Sequence, residues 1–459
     1  MIVEIASACK WDNGSSILRG IIDAAKTCYG SNKGLDCIEV SKKEVDFVNS
    51  LIQAGHLTCL MHNSITLDIS GVSRAFVTMF LHSMPYYNSE QLSQRYIKSG
   101  VEVVDTYNSL YENSLLPLVA LNETLLPEVC RKLQLKAGVS NEIIRSCLPL
   151  TSTTSLKHTV NLVTILRMIT IGQTIKQSPM KLEIVSFAVK LQKELVKTYP
   201  LMKGVVDFVL NQYSDGYEIA LFKDLYKTSD ILKDGKMFTL TNLSTTSTYA
   251  NNRIKFGMQH RDCLNVSLYE GAESRGSNLY RWDAYLDYAS FIQLQRHRAF
   301  SFTYRVSSEE YLYPLPPKVL NDKFYLVREV FDAKMEEYKN LVRRRALVTE
   351  EVANLLLTTN SSIVYFSMIG TLDSFKDFIS TRTCFNAQYS ISSFAYIMGR
   401  AFSQAVKGFR IEAPCDKSLN TNRCPEGKRY CGTRVWTLST EKRVEHLNSL
   451  NHLQNKKDK

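Results

Sequence analysis

The chain has 459 residues, 44% hydrophobic and 22% charged, with 20 glycines and 11 prolines, which excludes a collagenous or low-complexity chain. Its length exceeds what one compact core serves, so two domains of similar size are expected. The net charge of +11 favours anionic partners, and phosphorylated small molecules fit that surplus as well as nucleic acid does.

No uncharged apolar run approaches the roughly 18 residues of a membrane helix; the longest candidate, Val160 to Ile171, is interrupted by Arg167. The start, MIVEIASACK, lacks the basic opening of a signal peptide. A soluble, cytoplasmic protein is the expectation. The 11 cysteines are odd in number and scattered, and most, such as Cys59 and Cys147, read as small buried side chains.

Helical spacing first appears over Val45 to Ala54, and the alternation Ile65, Leu67, Ile69 predicts a strand over Ser64 to Gly71. From Val72 the pattern is helical to about Leu81, and Pro85 forces a break. Between Ser155 and Tyr199 two long helices are expected, separated by Gln177-Ser178-Pro179. The texture then turns polar over residues 227–255, which puts a domain boundary in 200–230. A helix is predicted from Arg281, with Trp282, Tyr285, Ala289 and Ile292 sharing a face. Further helical stretches run through Arg328 to Arg345 and, as a pair, over Leu372 to Val406.

Three strings carry chemistry. Gln293-Leu294-Gln295-Arg296-His297-Arg298 places Gln293 and Arg296 on one helix face and sets two guanidiniums around an imidazole, a cationic group suited to phosphate or an electron-rich ring. Ser73-Arg74-Ala75, followed by Glu90 to Tyr96, offers hydroxyl, amide and guanidinium donors beyond a turn. Gly55-His56-Leu57-Thr58 precedes the first strand. Taken singly, each is also what a solvated basic helix end, a polar loop or a hydrogen-bonded turn looks like.

Read together, they resemble the flavin-dependent thymidylate synthases (ThyX). That family's pattern has a G-H turn, a strand, V-S-R-A, R-H-R and E-x-S-x-R-Y. GHLTCLMHNSITLDISGVSRAF and SQRY follow it, as do Ile144 to Pro149 (A-R-x-V-L-P), Thr159 to Leu162 (T-x-N-L-R) and Glu183-Ile184, the end of A-Q-x-E-I. Departures accompany the match. His82-Ser83-Met84 stands where R-H-R belongs, Val163 replaces the arginine after N-L, and the later catalytic arginine falls on Gly172. Met61 replaces a glutamate.

An intact R-H-R lies at Arg296 to Arg298. Sliding the chain on itself by 214 places sets Met84 on Arg298 and Ser93 on Ser307. Gln94 then pairs with Ser308 and Arg95 with Glu309, so the second half lacks the phosphate grip. Phe378 to Arg382 resembles the family's F-x-x-L-R and restores the arginine missing at Gly172. Ala387-Gln388 resembles the start of A-Q-x-E-I, with Ser390 for its glutamate. Thr303 and Tyr304 stand where the family has Asn and Glu.

The resemblance implies an α+β fold of two tandem ThyX-like domains, each with helices packed on a small sheet, over residues 1–210 and 211–410, with an extension over 411–459. It implies methylation of dUMP at C5, with methylenetetrahydrofolate as donor and NADPH reducing FAD, at a site shared between the repeats. His56, Thr58, Asn161, Arg296, His297 and Arg298 would contact FAD. Glu90, Ser93, Gln94, Arg95, Arg145, Gln293 and Arg382 would hold the nucleotide, and Arg382, Arg296 and His297 would serve catalysis. A homodimer would imitate the family's homotetramer, and nucleic acid is not an expected partner. The alternatives are another pyrimidine nucleotide as substrate, or a non-catalytic nucleotide- or nucleic-acid-binding protein. Cys415, Cys424 and Cys431 sit in a turn-rich stretch with no C-x-x-C pair. Three thiols suit zinc or an iron–sulfur cluster only with a fourth ligand from elsewhere, and no metal is assigned.

Overall fold

A computed structural model describes residues 1–8, 17–27, 42–84, 87–94, 145, 148–176, 178–212, 238–242, 279–312, 332–333, 336–337, 339–340, 350–416 and 424–449. The chain opens with β1 (Ile2–Ala8), α1 (Ile17–Thr27), α2 (Lys42–Gln53) and α3 (Thr58–Met61). Next come β2 (Ser64–Ser73), α4 (Arg74–Met79), β3 (Tyr87–Gln91) and β4 (Thr153–Asn161), then α5 (Leu162–Thr174), α6 (Lys181–Thr198) and α7 (Met202–Gln212). The second half holds β5 (Phe238–Asn242), β6 (Leu279–Asp287), α8 (Tyr288–Gln295), β7 (Ser301–Tyr311) and α9 (Glu350–Leu357). It continues with β8 (Ser362–Thr371), α10 (Leu372–Arg382) and α11 (Tyr389–Ala405). Two 3-10 turns, Gly427–Arg429 and Val435–Thr437, precede α12 (Thr440–Ser449).

Each half builds a four-stranded sheet, in the orders β1-β2-β4-β3 and β5-β6-β8-β7. Every pairing is antiparallel. In β2 the alternating Ile65, Leu67 and Ile69 are buried, as their period requires. The two central hairpin-like units end in capped helices. Ser73 and Asp287, 214 residues apart, accept from the N–H three residues on and start α4 and α8. Asn161 and Thr371, 210 apart, do the same for α5 and α10.

Four expectations need correction. The residues from Arg281 are strand β6, and the helix starts only at Tyr288. Arg281, Asp283 and Asp287 alternate with the buried Trp282, Ala284 and Leu286, the period of two of a strand, whereas the helical face Trp282, Tyr285, Ala289 and Ile292 runs across the boundary between β6 and α8. Likewise Thr153–Asn161 is strand β4, where a helix was expected from Ser155. Strand β2 continues through Ser73 before α4, which itself stops at Met79. The break at Pro85, Cys147 and most of the 227–255 and 328–345 readings lie outside the described residues.

The halves meet where Pro149 pairs with Thr359 in an antiparallel bridge. Leu150 N–H donates to the Thr358 carbonyl at 3.0 Å and Asn360 N–H to the Leu148 carbonyl at 3.1 Å. These residues are 210 apart, like Asn161 and Thr371, so each bond is the image of the other across a local two-fold axis. The apolar core continues across the junction. Phenylalanines pack in both halves: Phe187 of α6 on Phe76 and Phe80, and beyond β6 Phe366 on Phe291 and Phe375 on Phe402.

Candidate functional site

Arg296, His297 and Arg298 occupy the turn between α8 and β7, and Arg382 is the last residue of α10. Arg382 Nε donates to His297 Nε2 at 2.9 Å and Nη2 to the Gln293 carbonyl at 3.2 Å. His297 is therefore an acceptor. Burial, reinforced by the Arg382 charge, lowers its pKa to about 4, so the ring is neutral at physiological pH. Its edge contacts Phe378 at 5.0 Å.

Gln388, the residue before α11, joins the halves. Its Oε1 accepts from Gln293 Nε2 at 2.5 Å and from Arg145 Nη2. The Arg145 carbonyl in turn accepts from Asn360 Nδ2 at 2.8 Å, and the same amide donates to Gln94 Oε1 at 3.0 Å. One continuous chain of contacts thus runs Gln94, Asn360, Arg145, Gln388, Gln293, Arg382, His297. It crosses between the halves three times, at Gln94–Asn360, Asn360–Arg145 and Arg145–Gln388, and then continues within the second half.

Beside this chain lies Arg74, buried at the start of α4. It donates through Nη1 to the Leu92 carbonyl at 3.2 Å, while its Nε and the Gln94 Nε2 have no hydrogen-bond partner among the described residues. Desolvation, then the Arg145 charge, lowers its pKa to about 10, with Arg296 adding in the same direction and Tyr288 opposing. Arg74 stays protonated at neutral pH. Three guanidiniums converge here, and that concentration of charge suits an oxyanion.

On the outer side Arg298 donates to the Tyr87 carbonyl and, at 3.1 Å, to Asn88 Oδ1, with its guanidinium 4.5 Å from the Tyr87 ring centre. Tyr87 stacks on His82 at 4.6 Å. His82, 214 residues before Arg296, is held neutral by burial, with a pKa of about 3.

The expected site residues divide into two sets. Gln94, Arg145, Gln293, His297 and Arg382 are joined in the chain of contacts; Arg296 and Arg298 flank it. Among the described residues, no hydrogen bond, ion pair or ring contact brings His56, Thr58 or Asn161 to it. His56 and Thr58 are exposed on the other end of the first half, and the Asn161 side chain caps α5. Glu90 is exposed on β3 and Ser93 is half-buried beside Gln94. Arg95 lies outside the described residues.

The family model for the thymidylate synthase complementing protein matches residues 16–201 and 284–406. The chain belongs to that family. For this thymidylate synthase complementing family member, both matched segments supply the network, Gln94 and Arg145 from one and Gln293, Arg382 and Gln388 from the other. No curated protein matches it. Among solved structures it is similar to the UMP/dUMP methylase PolB from Streptomyces cacaoi bound with 5-Br dUMP. The identity is 15%, the coverage 47% of this chain and 97% of that chain, and the TM-score 0.36. No described helix is long and apolar enough to cross a membrane.

Two members of the network escaped the sequence reading. Asn360 sits in a run of small polar residues with nothing to distinguish it. Gln388 was visible only as part of a degraded family motif, and its contacts come from positions 95 and 243 residues away. Arg74 was readable as a donor but not as a buried one.

Proposed function

We propose that this chain catalyses FAD-dependent C5 methylation of dUMP to dTMP, with methylenetetrahydrofolate and NADPH as co-substrates, at one composite site between its halves. The observation that carries the reading is the continuous contact chain from Gln94 to His297, because neither half contains it alone. The unpartnered Arg74 Nε and Gln94 Nε2 fit a phosphate, which would complete their bonding. Arg145, together with Ser93 and Arg95 on either side of Gln94 in sequence, would share that charge-assisted grip. The exposed guanidiniums of Arg296 and Arg298 suit the anionic cofactor.

FAD, when bound, takes reducing equivalents from NADPH and supplies them to the methyl transfer. The chain's own part is binding and electrostatics. Arg382 would lie against pyrimidine N3 and O4, stabilising the ionised ring and raising the nucleophilicity of C5. Neutral His297 fixes the Arg382 guanidinium through Nε, and Gln293, anchored by Gln388, orients the ring. His56, Thr58, Asn161 and Glu90 would reach FAD or nucleotide from a second chain, in a homodimer imitating a four-domain assembly.

We further infer that residues 1–210 and 211–410 are copies of one domain. The matching sheet orders and the paired caps support this. So does an exchange of chemistry at equivalent positions. Ser73 donates from Oγ and N–H to the Glu183 carboxylate at 2.8 and 2.6 Å. In the other half the carboxylate is on the cap, Asp287, and the hydroxyl, Ser390, is on the following helix; they are again hydrogen-bonded.

The test is an anaerobic assay of purified protein with FAD, NADPH, methylenetetrahydrofolate and dUMP, scored for dTMP, then repeated with other pyrimidine nucleotides. A colourless protein that binds nucleotide or nucleic acid with steep salt dependence and forms no product would replace this reading with binding alone.

A further inference from the structure

Four cysteines from separate stretches of chain meet at one cavity. Cys384 follows α10, Cys415 lies in the segment after α11, and Cys424 and Cys431 flank the turn Gly427–Arg429. The cavity they line measures about 10 Å³, the room of one water-sized sphere. Cys384 is within electrostatic reach of Cys424 and Cys431, and Cys415 within reach of Cys384. None is in a disulfide. The sequence offers three thiols without a fourth ligand; the fold brings Cys384, from the matched family segment, to the extension beyond residue 406.

The backbone around the thiols is shaped for anionic sulfur. Gly427 N–H bonds back to the Cys424 carbonyl at 3.2 Å. Glu426 is right-handed helical and Gly427 has φ +55, and such a succession of right- and left-handed residues points backbone N–H groups into one concavity, as at many metal–sulfur sites. Gly432, directly after Cys431, has φ +84, which a side chain would strain. The apolar cluster holding the extension is small: Phe385, Tyr396, Ala413, Cys415 and Val435 are its buried members. So small a core is the usual setting for a structural metal.

We propose that Cys384, Cys415, Cys424 and Cys431 bind one zinc ion as a tetrahedral tetrathiolate. Binding releases four thiol protons and breaks no covalent bond. Among the described residues no three candidate ligands already stand in coordinating geometry, so the thiols turn inward as the ion enters. The cavity has room for a single ion. Because Cys384 is two residues beyond Arg382, the ion ties the end of α10 to the extension. The inference is independent of the proposed reaction.

The experiment is elemental analysis of the full chain purified under reducing conditions, with one zinc per chain expected. Cys424→Ser and Cys431→Ser should each lose at least nine-tenths of it. Wild-type protein stripped of metal and given cobalt(II) should show the thiolate-to-cobalt charge-transfer band and strong visible bands of a tetrahedral site, which decides the matter even if the variants misfold. Substoichiometric zinc together with no thiolate bands overturns the proposal. So does stoichiometric iron with cluster absorption, or a disulfide between any two of the four cysteines in the protein as purified.

Discussion

Burying a guanidinium without an ion-paired carboxylate costs stability, and Arg74, which has none among the described residues, bears that cost in the free protein. Arg74→Met removes the charge while keeping most of the volume. The melting temperature without nucleotide should hold or rise, while affinity for dUMP falls about 10- to 100-fold, the worth of one charged hydrogen bond. Calorimetry on both variants checks this, and an unchanged Kd with a fallen melting point would contradict it. Arg382→Ala should act differently, lowering kcat with little change in nucleotide KM, since its charge matters most as the ring ionises. Histidines set the acid limit. Burial, then neighbouring cations and histidine, depresses His82 to about 3, and burial followed by Arg298 depresses His158 to about 4. His297, at about 4, behaves likewise but is less buried. The native state therefore binds fewer protons than the unfolded chain below the ordinary histidine value of about 6.5. Stability is full above that value and is lost as pH falls through the folded values, by about 1.4 kcal/mol per pH unit for each fully buried ring. Urea melts at pH 7 and pH 5 should show the loss, and His82→Gln should lessen it.

Helices α5 and α6 pack closely because Gly172 lets them. A Cβ there would lie 2.0 Å from the Ala188 Cβ and 3.1 Å from the Ile184 carbonyl. Gly172→Ala should destabilise by about 1–3 kcal/mol through overpacking, measured as a lower urea midpoint, and Gly172→Arg should unfold the contact without restoring a catalytic arginine. Position 172 is 210 residues before Arg382, so on the proposed duplication one place would serve packing in the first half and the candidate site in the second. Elements with one wet face were legible in the sequence: Ile65, Leu67 and Ile69 alternate with Thr66 and Asp68 and gave β2 away. Strand β6 carries the same alternation, Arg281, Asp283 and Asp287 against Trp282, Ala284 and Leu286, but runs straight into α8, and apolar residues on both sides of that junction mimic one helical face. Residues that mattered by type, such as Arg145 and Arg382, could be read from a motif. Asn360 and Gln388 could not, because an amide becomes part of a site only through partners the fold delivers.

At the scale of the molecule, a network threaded through both halves leads to the prediction that neither suffices. Residues 1–210 expressed alone should form no dTMP, and product should appear only when residues 211–459 are supplied with them; full activity from the first piece would contradict the composite site. The bridge between Pro149 and Thr359 has a consequence for inheritance. In an assembly of identical chains, a contact on a two-fold axis joins a residue to its own copy, so one codon change alters both sides at once. Here the axis joins two different codons. Proline already stands on one side and threonine on the other, and a change at either reaches only its own half. On the proposed duplication, a loss in one half can then persist wherever the other half still supplies the function, as Arg382 would for Gly172 and Arg296 for His82.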